Sequence, residues 1–232
     1  MEINNLKVDK ERNRTAKKVG LLYLLIIVSS IITLIFIDSQ YSVSGDVVET
    51  IKNIVANDLF FRINTAYNLV MYIGVIALSV YLYETLKVIN KPLALMAFSF
   101  RLGEAILGGI QVLCYLIVLL LLNENNFILA FDMDAKRSLV ELFMGIFDQL
   151  IIIIFAFLGL GSLIFFYLFY KSKYIPRAIS IWGMCSFFLV IVGSIISIFY
   201  SNNAYMILGS QAILFEIFIG GWLLIKGINK IS

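Results

Sequence analysis

Apolar residues run along this chain in long blocks separated by short polar connections. Six of the blocks contain the roughly 20 residues that a helix needs to cross about 30 Å of hydrocarbon. Because a helix satisfies its own backbone hydrogen bonds in lipid, each block is predicted to be a transmembrane helix. The third and fourth blocks are longer than about 30 residues, so these helices are expected to tilt, kink or extend beyond the bilayer. The predicted spans are 19–37, 62–85, 92–122, 138–170, 177–200 and 207–227.

The connection after the first span has a helical pattern of its own, in the stretch GDVVETIKNIVANDLFF. Asp46 and Glu49 match a capping box, in which two side chains satisfy backbone N–H groups at a helix start. The apolar residues of this stretch fall on one helix face: Val47, Val48, Ile51, Ile54, Val55 and Leu59. We expect a short amphipathic helix at the outer membrane surface, either packed on the bundle as a lid or serving in gating or partner contact.

The predicted fold class is all-α, a polytopic membrane helical bundle of six transmembrane helices plus the short amphipathic helix in the first outer loop. Composition agrees with this, because 61% of the 232 residues are hydrophobic and the mean hydropathy is +0.97. A soluble domain would lack the polar side chains to cover its surface. The formal net charge of +3 is small and scattered, so the expected partner is the lipid bilayer and not nucleic acid.

Histidine is absent from the sequence, which excludes imidazole as a metal or haem ligand and as a general base. Cys114 and Cys185 lie far apart within apolar blocks and match no metal-ligand spacing. Both are interpreted as small apolar packing residues. No metal site and no cofactor is therefore expected, and an enzymatic activity is not favoured.

Lysine and arginine are concentrated in four segments that six spans would place on one side of the membrane. These segments contain Lys7, Lys10, Arg12, Arg14, Lys17, Lys18, Lys87, Lys91, Lys171, Lys173, Arg177, Lys226 and Lys230. The positive-inside rule then predicts a multi-pass protein of the bacterial cytoplasmic membrane, with both termini in the cytoplasm. Residues 1–18 form a basic cytoplasmic segment in this interpretation, and residues 19–230 form a single transmembrane domain. Trp182 and Trp222 are predicted to anchor helices at the interface, and most Phe and Tyr residues to face lipid or the interface.

Three charged residues lie at a similar depth within the third and sixth apolar blocks. In the stretch FSFRLGEAIL, Arg101 and Glu104 lie about 13 Å and about 18 Å from Pro92 along the helix, on one helix face. Glu216 lies about 15 Å from Lys226, at a similar depth. An isolated ion in lipid costs at least a few kcal/mol, so the three are expected to converge inside the bundle. One guanidinium cannot neutralise two carboxylates, and therefore a proton, a cation, water or a ligand must supply the balance. The three are candidates for ligand binding or proton linkage, and a purely structural network is the alternative.

A second polar cluster is predicted nearer the outer face, from residues Asn64, Asn68, Gln111, Asp148 and Gln149. Such amides commonly hold membrane helices together through interhelical hydrogen bonds. The alternative is that the two clusters outline a polar path through the bundle.

Several stretches together resemble a bacterial membrane family known as domain of unknown function 4386 (DUF4386). They are RTAKKVGLLYLLIIV, GDVVETIKNIVANDLFFR, LYETLKVINKPLALMAFSFRLGEAIL, LFYKSKYIPRAISIWG and FEIFIGGWLLIKGIN, and they cover nearly the whole chain. The resemblance implies a multi-pass inner-membrane protein with Arg101, Glu104 and Glu216 at the family's characteristic polar positions. It implies no reaction, because the family has no assigned one.

Three functions remain open at this level. In the first, the charged trio binds or carries a small or lipid-like ligand or a proton, with arginine holding an anionic group and a glutamate exchanging protons. In the second, the protein is a structural or regulatory membrane subunit whose charges only fix helix packing. In the third, it is an intramembrane lipid-modifying enzyme, although no known catalytic or metal motif supports this.

Overall fold

The computed structural model describes residues 2–36, 38–41, 43, 46–123, 133–200 and 203–229. Within these residues the chain forms seven α-helices and a short 3₁₀ helix at Asp38–Gln40. The α-helices are α1 Glu2–Phe36, α2 Val47–Ala56, α3 Asp58–Leu86, α4 Lys91–Leu122, α5 Met133–Ser172, α6 Arg177–Tyr200 and α7 Ala204–Ile225. All except α2 are long and apolar enough to cross a membrane, which gives six candidate spans. The predicted helical bundle of six spans is confirmed, while Lys230 lies outside the described residues.

Local signals explain where several helices begin and end. Asn90 precedes α4, and its side-chain oxygen accepts a hydrogen bond from the N–H of Leu93 at 3.0 Å. Pro92 occupies the first turn, where a missing N–H is tolerated because it would have no partner there. α5 ends next to Lys173, whose φ of 58° is left-handed, and Pro176 directly precedes α6. These turns reverse the chain within a few residues.

The helices group into two compact units. The first contains Met1–Val28, Ile73–Ala105 and Ile152–Ser232, and the second contains Ser29–Tyr72 and Ile106–Ile151. α6 and α7 belong wholly to the first unit, whereas α1, α3, α4 and α5 contribute segments to both.

Aromatic side chains fill the core of the first unit. The ring of Phe166 stacks on that of Phe187 at 5.6 Å and meets the edge of Phe215 at 4.7 Å. Gly183 makes room for this cluster, since a Cβ atom there would lie 2.5 Å from Phe215. All three rings are fully buried. These three residues are exceptions to the expectation that most Phe residues face lipid or the interface. The space between the helices of a bundle needs large side chains to reach close packing.

The second unit contains α2, the predicted amphipathic helix. Asp46 caps its start as expected, its side chain accepting a hydrogen bond from the N–H of Glu49 at 2.9 Å. The reciprocal half of the predicted capping box is not formed, because the N–H of Asp46 donates to the carbonyl of Val43 and Glu49 pairs with Lys52. Thr50 and Ile54 are buried, and Ile54 joins a core that includes Phe61. Packing of Ile54 into this core is the contact expected if α2 is a lid on the helical bundle.

The far end of the predicted apolar face does not pack into this core. Val55 and Leu59, which the pattern placed on that face, are 57% and 63% exposed. α2 ends at Ala56 with Asn57 as its C-cap, and Asp58 starts the next helix. Leu59 therefore belongs to α3, where the phase of the α2 pattern no longer applies.

Candidate functional site

Two glycines bring α1 and α7 into backbone contact within the first unit. A Cβ atom on Gly20 would lie 2.5 Å from the backbone N of Leu224 and 2.6 Å from the carbonyl oxygen of Gly220. Small residues allow such close approach between membrane helices. Tyr23 lies about one turn after Gly20, and Glu216 lies about one turn before Gly220. The crossing therefore places the side chains of Tyr23 and Glu216 near one another in depth.

Arg101 is held against α5 at another glycine. A Cβ atom on Gly161 would lie 2.8 Å from Cγ and 3.1 Å from Cδ of Arg101. The hydrocarbon part of the arginine thus fills the groove that Gly161 leaves open. Arg101 is only 3% exposed and Glu104, one turn further along α4, is 5% exposed.

Arg101 and Glu104 form a buried ion pair within one helix. The distance from Nη1 of Arg101 to Oε2 of Glu104 is 2.7 Å. The angles are not those of a hydrogen bond, and Nε and Nη1 of Arg101 and Oε2 of Glu104 lack a hydrogen-bond partner among the described residues. A guanidinium has five N–H donors, and this pair leaves buried donors unused.

Glu216 and Tyr23 complete the centre without an ion pair or a hydrogen bond to Arg101 or Glu104. Glu216 is partly buried and interacts electrostatically with both Arg101 and Glu104. The buried Tyr23 interacts electrostatically with all three charged residues. Neither Tyr23 nor Glu216 makes an ion pair or a side-chain hydrogen bond with another residue that the structure describes. The structure thus brings the three predicted residues together and adds Tyr23.

The sequence interpretation missed Tyr23 because a tyrosine among leucines is typical of lipid-facing or interfacial positions. The usable signal was Gly20, three residues earlier, which marks the face of α1 that meets another helix.

The centre can bind an oxygen-bearing anion and exchange a proton. Arg101 offers free N–H donors, and Tyr23 has a hydroxyl that can donate or accept. With both carboxylates ionised the centre would carry one excess negative charge. Water exclusion makes that charge costly, so a proton on one carboxylate is the simplest neutral state.

The second predicted polar cluster is only partly assembled. Asn68 Nδ2 donates to Oδ1 of Asn64 at 2.8 Å, and Asn64 in turn donates to the hydroxyl of Tyr41. The hydroxyl of Tyr72 donates to Oε1 of Gln111 at 2.6 Å and joins α3 to α4. Tyr41 and Tyr72 were not foreseen as members of this cluster.

Asp148 and Gln149 are not brought into these hydrogen bonds. Both side chains are exposed on α5, and neither has a hydrogen-bond partner within the described part of the chain. The described residues also contain no group of three or more Cys, Asp or Glu side chains that could hold a metal ion.

Comparison with known proteins identifies the family. The model of the family described as Domain of unknown function (DUF4386) matches residues 19–227, a range that includes Tyr23, Arg101, Glu104 and Glu216. No curated protein and no solved structure matches the chain. The chain, an integral membrane protein with six apolar helices long enough to span, therefore belongs to the DUF4386 family.

Proposed function

We propose that this membrane protein binds a small or lipid-like ligand carrying an oxyanion, such as a carboxylate or a phosphate ester, at the centre formed by Arg101, Glu104 and Glu216. The observation that carries the proposal is the set of buried Arg101 donors with no hydrogen-bond partner among the described residues. An unsatisfied buried donor costs about 1–3 kcal/mol, and more when it is charged. An oxyanion of a ligand would supply the missing acceptors.

The connectivity of the ion pair also supports a binding role. Arg101 and Glu104 lie three residues apart on α4, so their contact joins no two helices. A network that exists to hold helices together needs bonds between helices, such as the one from Tyr72 to Gln111. The charged pair is costly, and the contact between its two charges adds nothing to the bonding between helices.

Charge balance predicts that the centre takes up one proton from solution when the oxyanion binds. In the empty centre Arg101 neutralises Glu104, and Glu216 holds a proton. When an oxyanion binds to Arg101, Glu104 loses its counterion and takes up a proton from solution. The bound and empty centres then carry the same net charge, so that no uncompensated ion is left in a medium of low dielectric constant.

The first test uses octanoate as a probe and octanol as its uncharged counterpart. Octanoate should raise the thermal unfolding midpoint of the purified protein in detergent, and octanol should not. Arg101→Gln should abolish the octanoate effect, whereas Arg137→Gln, at an exposed ion pair on α5, should leave it intact. Equal effects of octanoate on the wild type and Arg101→Gln would contradict the proposal.

A structural subunit remains the second candidate, favoured by the tight packing of Arg101 against Gly161. In that case Arg101 would act only as a large side chain that fills the space between α4 and α5. Octanoate would then leave the unfolding midpoint of the wild type unchanged.

We further propose that both termini lie in the cytoplasm and that the membrane is a bacterial inner membrane. The lysines and arginines at the chain ends and in the α3–α4 and α5–α6 connections support this under the positive-inside rule. Fusion of a fluorescent protein to the C-terminus should give fluorescent cells, and fusion of alkaline phosphatase should be inactive. The reverse result would overturn the orientation.

A further inference from the structure

Three cations at one end of the first unit lie over aromatic rings and beside no carboxylate of a described residue, whereas Lys87 lies over the ring of Tyr83 and also pairs with Glu84. Lys18 Nζ lies 4.9 Å from the centroid of the Tyr81 ring, and Lys226 Nζ lies 4.9 Å from the ring of Trp222. Arg177 Cζ lies 5.2 Å from the ring of Tyr170. We call these three cations and their rings the cationic rim. The three side chains are exposed, and none forms an ion pair with a described residue.

Hydrogen bonds show that the rim residues share one end of the unit. The backbone N–H of Asn229, after α7, donates to the carbonyl of Tyr174 in the α5–α6 turn at 2.8 Å. Asn13 on α1 accepts a hydrogen bond from the N–H of Ile228 at 2.9 Å. Arg12 donates to the hydroxyl of Tyr174 at 3.0 Å. The part of α1 around Arg12 and Asn13, the α5–α6 turn and the segment after α7 are therefore in direct contact.

Three cations of the second unit have a different environment. They pair with carboxylates on their own helices, through Lys52–Glu49 at 3.0 Å, Arg62–Asp58 at 2.9 Å and Arg137–Glu141 at 3.1 Å. Their charge is already balanced within the protein. The charge of the rim is not, and a ring covers one side of each cation while the other N–H donors remain free.

We propose that the cationic rim binds the phosphate headgroups of anionic phospholipids. The rim borders an apolar surface, where Ile181, next to Trp182, is 46% exposed and Ile225, next to Lys226, is 76% exposed. Acyl chains can cover that surface while the phosphate meets the cations. Tyrosine and tryptophan rings prefer this same interfacial depth. A soluble phosphate would satisfy the cations and leave the apolar surface without a partner.

The two tryptophans of the chain, Trp182 and Trp222, make the rim directly observable. Phospholipids with brominated acyl chains quench tryptophan fluorescence on contact. The full-length protein would be reconstituted into phosphatidylcholine vesicles, with brominated phosphatidylglycerol or brominated phosphatidylcholine added at equal mole fractions. Brominated phosphatidylglycerol should quench more strongly, and its preference should fall as salt is raised.

Matched variants distinguish an effect of the rim cations from an effect of the protein's total charge. The triple variant Lys18→Gln, Arg177→Gln and Lys226→Gln should lose the preference for phosphatidylglycerol, with up to about a five-fold loss for each cation removed. The control Lys52→Gln, Arg62→Gln and Arg137→Gln removes the same charge and should keep the preference.

Three results would overturn the proposal. They are equal quenching by the two lipids in the wild type, an equal loss in the control variant, and loss of the preference when glycerol phosphate is added as a soluble competitor. The wild-type comparison decides the question even if the triple variant fails to fold. The charge-conserving variant Lys18→Arg, Arg177→Lys and Lys226→Arg should retain the preference.

Discussion

The buried polar side chains of the two units differ in charge. In the second unit the buried polar side chains that the structure describes are neutral, and some bond to partners on other segments, as Tyr72 does to Gln111 and Asn64 does to Tyr41. In the first unit neutral groups do the same, as Ser186 does by donating to Gln211 at 2.6 Å. Arg101 and Glu104 differ, because they are charged, their contact lies within a single helix, and donors of Arg101 remain unused. The difference teaches that burial alone does not separate packing from binding. Nε2 of Gln111 in the second unit also lacks a partner among the described residues, but it is neutral, whereas the unused donors of Arg101 carry a charge.

Removing the arginine should have the largest effect on stability. Arg101→Met leaves Glu104 buried without a counterion, and breaking a buried pair in this way costs about 3–5 kcal/mol. Arg137→Met breaks an exposed pair and should cost less than about 1 kcal/mol. Unfolding by titration with sodium dodecyl sulfate would measure both. Equal losses in the two variants would show that the buried pair has no special cost.

Two glycines of α5 allow a matched test of the arginine's position. Gly161→Ala places a methyl group 2.8 Å from Cγ of Arg101, and overpacking of this kind costs about 1–3 kcal/mol. A Cβ atom on Gly145 would meet nothing within 4 Å. Gly145→Ala should therefore be neutral or stabilising by up to about 1 kcal/mol, because alanine favours a helix more than glycine does. The same unfolding assay applies, and a destabilised Gly145→Ala would reveal a contact that the structure lacks.

The hydrogen bond between α3 and α4 should have a smaller effect. Tyr72→Phe removes the donor to Gln111, and interhelical hydrogen bonds in membranes are typically worth about 0.6 kcal/mol, with values up to about 1.7 kcal/mol. The double variant Tyr72→Phe with Gln111→Leu should cost less than the sum of the single variants. Tyr200→Phe, at a 75% exposed tyrosine, is the control with no expected change.

The smallest change in stability is expected at Glu216. This carboxyl makes no ion pair or side-chain hydrogen bond with the described residues, and glutamine has the shape of its protonated form. Glu216→Gln should leave the unfolding free energy within about 0.5 kcal/mol of the wild type, as for substitutions that break no contact. A loss as large as that of Arg101→Met would mean that Glu216 is an ionised member of a structural network.

Much of the fold could be predicted from the sequence because hydrocarbon imposes strong rules. Blocks of about 20 apolar residues predict spans, and Asp46 with Glu49 predicts the start of α2. The end of α2 is not visible in the apolar pattern, because Asn57 and Asp58 end the helix without interrupting that pattern. The α1 helix begins at Glu2, well before its apolar block, since no residue there forces the helix to start later.

The candidate site was predictable in its charges and not in its neutral parts. Arg101, Glu104 and Glu216 stand out because an isolated ion in lipid costs at least a few kcal/mol, so each of these side chains needs a partner inside the bundle. Tyr23 does not stand out, since a tyrosine is compatible with lipid, interface and interior alike. Asp148 and Gln149 were predicted to belong to the second polar cluster, but the structure leaves their side chains exposed. Depth along a helix was inferred from counting residues, but the direction in which each side chain points depends on packing that no single helix encodes.

The most direct test of the binding centre is a count of protons taken up with octanoate. Isothermal titration in two buffers of different ionisation enthalpy, at the same pH, gives this number. We expect the wild type to take up about one proton for each octanoate bound, because Glu104 loses Arg101 as its counterion. The double variant Glu104→Gln with Glu216→Gln has no carboxyl left to protonate and should bind octanoate with no proton uptake. Binding without any proton uptake in the wild type, or the same uptake in the double variant, would contradict the account.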